Sequence, residues 1–372
     1  MPPKKSVQLS GVVVAQSAIS SIDPEEGVLM YRGYDIAELA EHSTYEEVAY
    51  LLLHGELPSS EELGAFRDQL AQRELPEPIA MHAAQAAAAG ANGMDVLRTC
   101  ASALSFADPN RGRTDRESGL RAAARLIAQL PTIVARFHRV REGLEPVAPD
   151  PTLGYAENFL AMLHGEQPSE QAARAFDVAM ILHAEHEMNA STFTARVVAG
   201  TGADLTASVV AAIAALGGPL HGGANEAAMA FFERVGSPEQ AKKEVTAAFE
   251  RKEKLYGFGH PLYRAYDPRA VILKRLSQEL SEDGGEPSWY AITEAVEREV
   301  SEQKGLYPNV DLYSGSVYRY LGIPTDLFTP LFAASRVVGQ AAHVLEQQAD
   351  NKIIRPSAEY VGPDRRSFPV RA

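Results

Sequence analysis

The chain has 372 residues, 45% hydrophobic and 23% charged, which suffices for one large or two smaller globular domains with a sizeable core. Its formal net charge of −14 argues against a nucleic-acid binder, which would show a basic face. The single cysteine, Cys100, excludes an internal disulfide and a cysteine-built zinc site and fits a reducing compartment. The longest apolar run, Leu205 to Leu220, is interrupted by Thr206, Ser208 and two glycines, so no membrane span is expected. The start, MPPKKSVQLSGVVVAQS, has too short an apolar stretch for a secretion signal, and a cytoplasmic enzyme is expected.

In chain order, Val12 to Gly33 holds short β-favouring runs broken at Asp23-Pro24 and Gly27, which predicts a small β-ribbon. Helices then follow one another. Ser43 and Glu46 form a capping-box pattern before EEVAYLLLHG, which stops at Gly55, and Ser59 and Glu62 repeat it before ELGAFRDQLAQR. Further helices are predicted over Pro76–Ala89, Asp95–Phe106, Glu117–Arg141, Ala156–His164 and Glu170–His186. The alanine-rich AAQAAAAGA reads as a tightly packed helix. No internal repeat or long linker marks a domain boundary.

An acidic protein that binds an anionic ligand must gather positive charge locally, so the places where Arg and His concentrate are informative. In GGPLHGGANEAAM, Gly217 to Met229, four glycines surround His221, between an apolar helix that ends at Gly217 and a new helical pattern from Ala224. A helix N-terminus disfavours imidazolium, so this place suits a neutral imidazole donating to developing negative charge; a tight turn around a packed histidine is the alternative. YGFGHPLYRAYDPRA, Tyr256 to Ala270, gathers His260, Arg264 and Arg269 in a Gly/Pro-rich loop suited to a carboxylate or phosphate. In LHAEHEMNASTFTAR, His183 and His186 fall three apart on one predicted helix face; a metal pair is conceivable, but no third ligand follows, and a packed or anion-binding pair is preferred. In KGLYPNVDLYSG, Asp311 stands between Val310 and Leu312 in a Gly/Pro loop, where partial burial would make it a usable base. Arg336 lies in an apolar helix, and Arg355 opens RPSAEYVG near the C-terminus.

HAEHEMNASTFTAR, GGPLHGGANEAAM, GFGHPLYRAYDPRA, YPNVDLYSG and RPSAEYVG, in this order, resemble citrate synthase, as does GYDIAELAEHSTYEEVAYLLLHGELP. The resemblance runs from about Gly11 to Gly362 and is to the short bacterial and archaeal form. It implies an all-α fold with a large helical domain, residues 1–221 and 326–372, and a small helical domain, residues 222–325, inserted between its parts. It implies a homodimer, in some relatives paired into a hexamer, that condenses acetyl-CoA with oxaloacetate to citrate and CoA without metal or cofactor.

By position in the family pattern, Asp311 matches the base that removes a proton from the acetyl methyl group. His221 matches the donor to the thioester oxygen, and His260 the group that polarises the oxaloacetate carbonyl. His186, Arg269, Arg336 and Arg355 match the groups that hold the substrate carboxylates, Arg355 reaching the partner subunit's site. One departure concerns CoA. Many relatives read HRVYK where this chain has His260-Pro261-Leu262-Tyr263-Arg264. Arg264 keeps a positive charge at the lysine position, and Lys252, Lys254 and Lys304 are further candidates for the CoA phosphates. Proline at this place also occurs in 2-methylcitrate synthases, which use propionyl-CoA, so either acyl donor is open.

Overall fold

A computed structural model describes residues 9, 11–260, 262–282 and 288–368. The N-terminal ribbon is a three-stranded antiparallel sheet of β1 (Ser20–Asp23), β2 (Val28–Tyr31) and β3 (Tyr34–Asp35), in that order. Ser20 pairs with Tyr31 and Asp23 with Val28. Asp23 Oδ1 accepts from the backbone N–H groups of Glu25 and Glu26 and closes the turn between them.

Among the described residues sixteen α-helices follow. The first eight are α1 (Ile36–His42), α2 (Tyr45–His54), α3 (Ser60–Leu70), α4 (Glu77–Ala88), α5 (Gly93–Ala103), α6 (Arg116–Arg141), α7 (Tyr155–His164) and α8 (Glu170–His183). Then come α9 (Ala190–Ala199), α10 (Leu205–Leu216), α11 (Ala224–Val235), α12 (Ala241–Glu250), α13 (Pro268–Ser281), α14 (Trp289–Lys304), α15 (Val310–Tyr320) and α16 (Phe328–Ala349). No helix among the described residues is long and apolar enough to cross a membrane.

The all-α expectation holds, with local corrections. The Ser59–Glu62 capping box is present, but the earlier box is Thr44–Glu47, one residue later than expected. Ser43 ends α1, so Thr44 is left to start α2; such a cap contributes about 1 kcal/mol. The alanine-rich α4 packs against α5 and α6, with Ala83 and Ala87 buried, while Met81 is 51% exposed. The stretch expected over Asp95–Phe106 is α5 plus a 3₁₀ turn, Leu104–Ala107. The predicted helix to His186 stops at His183, so His183 and His186 do not share a helix face.

Helix α16 is buried along nearly all of its length and packs against α2, α5, α6, α8, α9 and α10. Helices α13 and α14 pack against α15, α12 against α14, and α11 against both α15 and α16. The two sets of helices also meet along α8, which touches α13 and α15. The candidate site lies at the end of α8, where the ring of His183 stacks on that of Tyr318 from α15.

Candidate active site

His221 sits where the sequence places it, in the turn between α10 and α11. Gly222 N donates to Leu216 O at 2.9 Å, and a Cβ at Gly222 would stand 2.4 Å from Leu216 Cδ2. The turn therefore folds back on α10 only with glycine there. His221 Nε2 lies 2.9 Å from Ser191 Oγ, which also receives a hydrogen bond from Gln340 Nε2 at 3.2 Å. Ser191 Oγ also lies 2.8 Å from Asn189 Oδ1, a second acceptor for its one hydrogen; when the hydroxyl turns to Nε2 instead, the imidazole carries its own hydrogen on Nδ1 and can donate it to a ligand oxygen. Burial, with Arg336 adding to it, pushes the imidazole down to about 4, so it is neutral at physiological pH.

His260 has its tautomer fixed by the backbone. Its Nδ1 accepts from Leu262 N at 3.0 Å and Tyr263 N at 3.3 Å, so the hydrogen is on Nε2. Burial and the nearby Arg269 push it to about 4 as well. The His260 loop is zipped to the segment before α15. Gly259 N donates to Tyr307 O at 2.8 Å, Asn309 N to Gly257 O at 2.9 Å, and Asn309 Nδ2 to Gly259 O at 2.8 Å.

That pairing places His260 near Asp311. Asp311 lies in the first turn of α15, not in a loop: Asn309 caps the helix by accepting from Asp311 N at 3.0 Å. Its Oδ1 is buried with no hydrogen-bond partner among the described residues. Burial is the largest influence and raises the carboxyl to about 6; Arg269 and Arg336 oppose it, and Asp267 adds to it. The group is thus poised to take up a proton near neutrality.

The guanidinium groups complete the cluster. Arg269 is fully buried and binds Asp267 through Nε to Oδ1 at 3.0 Å and Nη2 to Oδ2 at 2.8 Å. Asp267 Oδ2 also accepts from Val310 N at 3.2 Å, tying this ion pair to the helix that carries Asp311. Arg336 is also fully buried, but its contacts are the His183 carbonyl, through Nε, and the Phe332 ring, 4.7 Å from the guanidinium carbon. No carboxylate among the described residues forms an ion pair with it. A buried cation without an anion is costly, and burial pushes Arg336 down to about 10. The arrangement suits an anionic ligand that supplies the missing charge. His186 closes the wall: its Nε2 is 3.2 Å from Tyr263 Oη, its ring is 5.0 Å from that of His260, and burial and Arg269 hold it well below the ordinary imidazole range.

The structure thus brings His186, His221, His260, Asp311, Arg269 and Arg336 into one region. The other candidates make no contact described with these six side chains, although Arg264 borders His260. Arg264 is 75% exposed and paired with Glu25 at 2.6 Å, although it lines a recess of about 220 Å³ together with His260, Gly305 and Tyr307. Lys252 follows the end of α12, its backbone N donating to Phe249 O, and Lys304 Nζ lies 4.9 Å from the Phe249 ring. Lys254 Nζ lies over the Tyr256 ring. Arg355 is exposed on the C-terminal tail, which forms no helix or strand among the described residues. Pro261 lies outside the described residues. Sequence reasoning missed Ser191, Tyr263, Asp267 and Gln340 as site residues; only Asp267 had a local signal, the Asp-Pro start of α13.

The family model described as citrate synthase, C-terminal domain, matches residues 8–357. The chain belongs to the citrate synthase family. It is 47% identical over 361 residues to citrate synthase 2 of Bacillus subtilis, covering 97% of this chain and 96% of that one. It is 42% identical to the 2-methylcitrate synthase of Shewanella oneidensis, with the same two coverages. Its fold is similar to that of citrate synthase from the archaeon Thermoplasma acidophilum, solved in a ternary complex with carboxymethyl coenzyme A and oxaloacetate. That match has a TM-score of 0.91 at 32% identity and covers 97% of each chain. The chain is thus a citrate synthase family acyltransferase.

The pH dependence of such an enzyme follows from the site. A base must be ionised to act, so with Asp311 in that role kcat/KM is expected to fall as pH drops through about 6. The imidazoles of His221 and His260 stay neutral over that range and contribute no limb above about pH 5. Initial rates from pH 5 to 9 check this. Since the folded-state value of Asp311 lies above its ordinary 3.8, the protonated form favours folding, and that stability is lost as pH rises through about 6.

Proposed function

We propose that this chain condenses an acyl-CoA with oxaloacetate and water and releases CoA, with acetyl-CoA as donor and citrate as product. The observation that carries the reading is the convergence of Asp311, raised to about 6, with two neutral imidazoles and two buried guanidiniums. Asp311 takes a proton from the acetyl methyl group while His221 donates a hydrogen bond to the thioester oxygen. The resulting enol or enolate carbon attacks the oxaloacetate ketone. His260 Nε2–H polarises that ketone and protonates the new alkoxide. Water then cleaves the citryl thioester. Arg269, Arg336 and His186 hold the two carboxylates, and guanidinium suits them because it pairs bidentately. No cofactor or metal is assigned a role, since acyl-CoA is itself a substrate.

The remaining elements of the proposal concern assembly. Residues 222–325 would form a small domain that closes on residues 1–221 and 326–372. Closure would keep water from the thioester until the carbon–carbon bond forms, with oxaloacetate binding first. The enzyme would be a cytoplasmic homodimer, alone or paired into a hexamer. Support comes from α10, which leaves Ala207 and Ala214 exposed, and from the C-terminal tail, where Ile353 is 61% and Tyr360 78% exposed. Such small apolar surface fits a subunit contact. Arg355 would complete the partner's site. Arg264, Lys252, Lys254 and Lys304 would serve the CoA phosphates, Arg264 being best placed, in the wall of the recess next to His260.

A second donor is favoured by one observation, the 42% identity to a 2-methylcitrate synthase. Acetyl and propionyl differ by one methylene, which a pocket discriminates by about 1–3 kcal/mol. The expected result is a kcat/KM for acetyl-CoA about tenfold or more above that for propionyl-CoA, measured by CoA release with saturating oxaloacetate. A preference for propionyl-CoA would reassign the enzyme to 2-methylcitrate synthesis.

A further inference from the structure

Tyr263 stands between the two histidines assigned to oxaloacetate. It is buried, only 6% exposed. Its ring centroid is 4.7 Å from that of His260 and 5.6 Å from that of His186, and the two imidazoles are 5.0 Å apart, so the three rings form a closed triangle. The loop before α13 supplies two of these rings and the turn after α8 the third.

The directions of the hydrogen bonds in this triangle follow from the groups themselves. Burial raises the phenol above its ordinary range, so Oη keeps its hydrogen. A buried hydroxyl hydrogen needs an acceptor. Among the described residues the one hydrogen-bond partner of Oη is His186 Nε2, at 3.2 Å. His186 is neutral, because burial first, then Arg269 and His260, act against its charged form. A neutral imidazole has one nitrogen that accepts and one that donates. Oη therefore donates to Nε2, and the His186 hydrogen is on Nδ1. His260 has the opposite arrangement: its Nδ1 accepts from the backbone N–H groups of Leu262 and Tyr263, at 3.0 and 3.3 Å, and its hydrogen is on Nε2. Tyr263 thus acts on both rings, on one through its hydroxyl and on the other through its backbone.

We propose that Tyr263 is a positioning residue that fixes the tautomer of His186: its hydroxyl occupies Nε2 and leaves Nδ1–H as the donor to a carboxylate of the keto dicarboxylate, beside the His260 Nε2–H that serves the ketone. This rests on the proposed binding of oxaloacetate at His186. Without the hydroxyl, the neutral ring can move its hydrogen to Nε2, and the carboxylate then faces the lone pair of Nδ1. Tyr263→Phe removes only the hydroxyl and leaves the ring packing and the backbone N–H to His260.

Two measurements test this. In nitrogen NMR of wild-type protein carrying isotopically labelled histidine, the signals missing from a His186→Ala variant belong to His186. Near neutral pH they should show a protonated Nδ1 and an unprotonated Nε2. The reverse tautomer, or a charged ring, overturns the proposal. The second measurement is the kinetics of Tyr263→Phe. Its KM for oxaloacetate should rise about fivefold, within the range of one neutral hydrogen bond, while kcat stays within about threefold and the acyl-CoA KM does not change. In a His186→Ala background the same substitution should change that KM by less than about 1.5-fold, since the ring it acts on is gone. An equal rise in both backgrounds overturns the proposal. So does a fall in KM, which would mean that the hydroxyl occupies the place of the carboxylate. A loss of melting temperature and kcat with the oxaloacetate KM unmoved, which is what a merely structural role gives, also overturns it. Should the phenylalanine variant not fold, the wild-type tautomer decides alone. Wild-type protein that needs no oxaloacetate for CoA release would defeat the functional reading instead, whatever the tautomer of His186.

Discussion

Asp311→Asn is expected to lower kcat by about 10³-fold while the KM for oxaloacetate changes only a few-fold. The side chain keeps its shape and its place in the first turn of α15, but an amide cannot accept the methyl proton. The second half of the prediction has the opposite sign. In the wild type the charged carboxylate is buried, and its Oδ1 has no partner among the described residues, so ionisation opposes folding. Removing the charge is expected to stabilise the variant by about 2 kcal/mol at pH 8 and by little at pH 4, where the wild-type carboxyl is protonated. Thermal melts at the two pH values, beside single-turnover rates, check both halves. A variant that loses activity without gaining stability at pH 8 would mean that the burial of Asp311 is relieved by a group not described above.

Subunit complementation carries the second large effect. If Arg355 serves the partner's site, an Asp311→Ala homodimer and an Arg355→Ala homodimer are each inactive. A mixed dimer then holds one site with both residues intact. Random assortment of equal amounts should restore about a quarter of wild-type activity, since half of the dimers are mixed and each has one complete site. The exposed tail motivates the test, because Arg355 is exposed whereas Arg269 and Arg336 of the cluster are fully buried. Coexpression, separation of the mixed species and a thiol-release assay give the answer. No recovery would place Arg355 in its own chain's site or in none.

Several helix ends were legible because their signals are local. Gly55 and Gly165 end α2 and α7 in the left-handed conformation, and Ser59 with Glu62 starts α3. The His221 turn was legible for the same reason, being glycine set between two helical patterns. Local signals failed where distant groups decide. HAEHE continues the helical pattern, yet α8 stops at His183, and Ser20 and Tyr31 of the N-terminal sheet grip the next turn. Glu187 there takes a φ of +50, which no pattern in the sequence announces. The Asp311 segment read as a loop because Pro308 and Asn309 look like turn residues, whereas Asn309 is a helix cap. Ser191 and Tyr263 joined the site only through contacts 30 and 77 residues away in sequence, beyond any local pattern.

The central claim is that this site joins two substrates rather than simply hydrolysing a thioester. Its most direct test is CoA release from acetyl-CoA with and without oxaloacetate, with the product identified by mass spectrometry. The predicted result is rapid release only when oxaloacetate is present, with one citrate formed per CoA. Equal release without oxaloacetate, or no release with it, would contradict the roles assigned to Asp311, His221, His260 and the buried arginines.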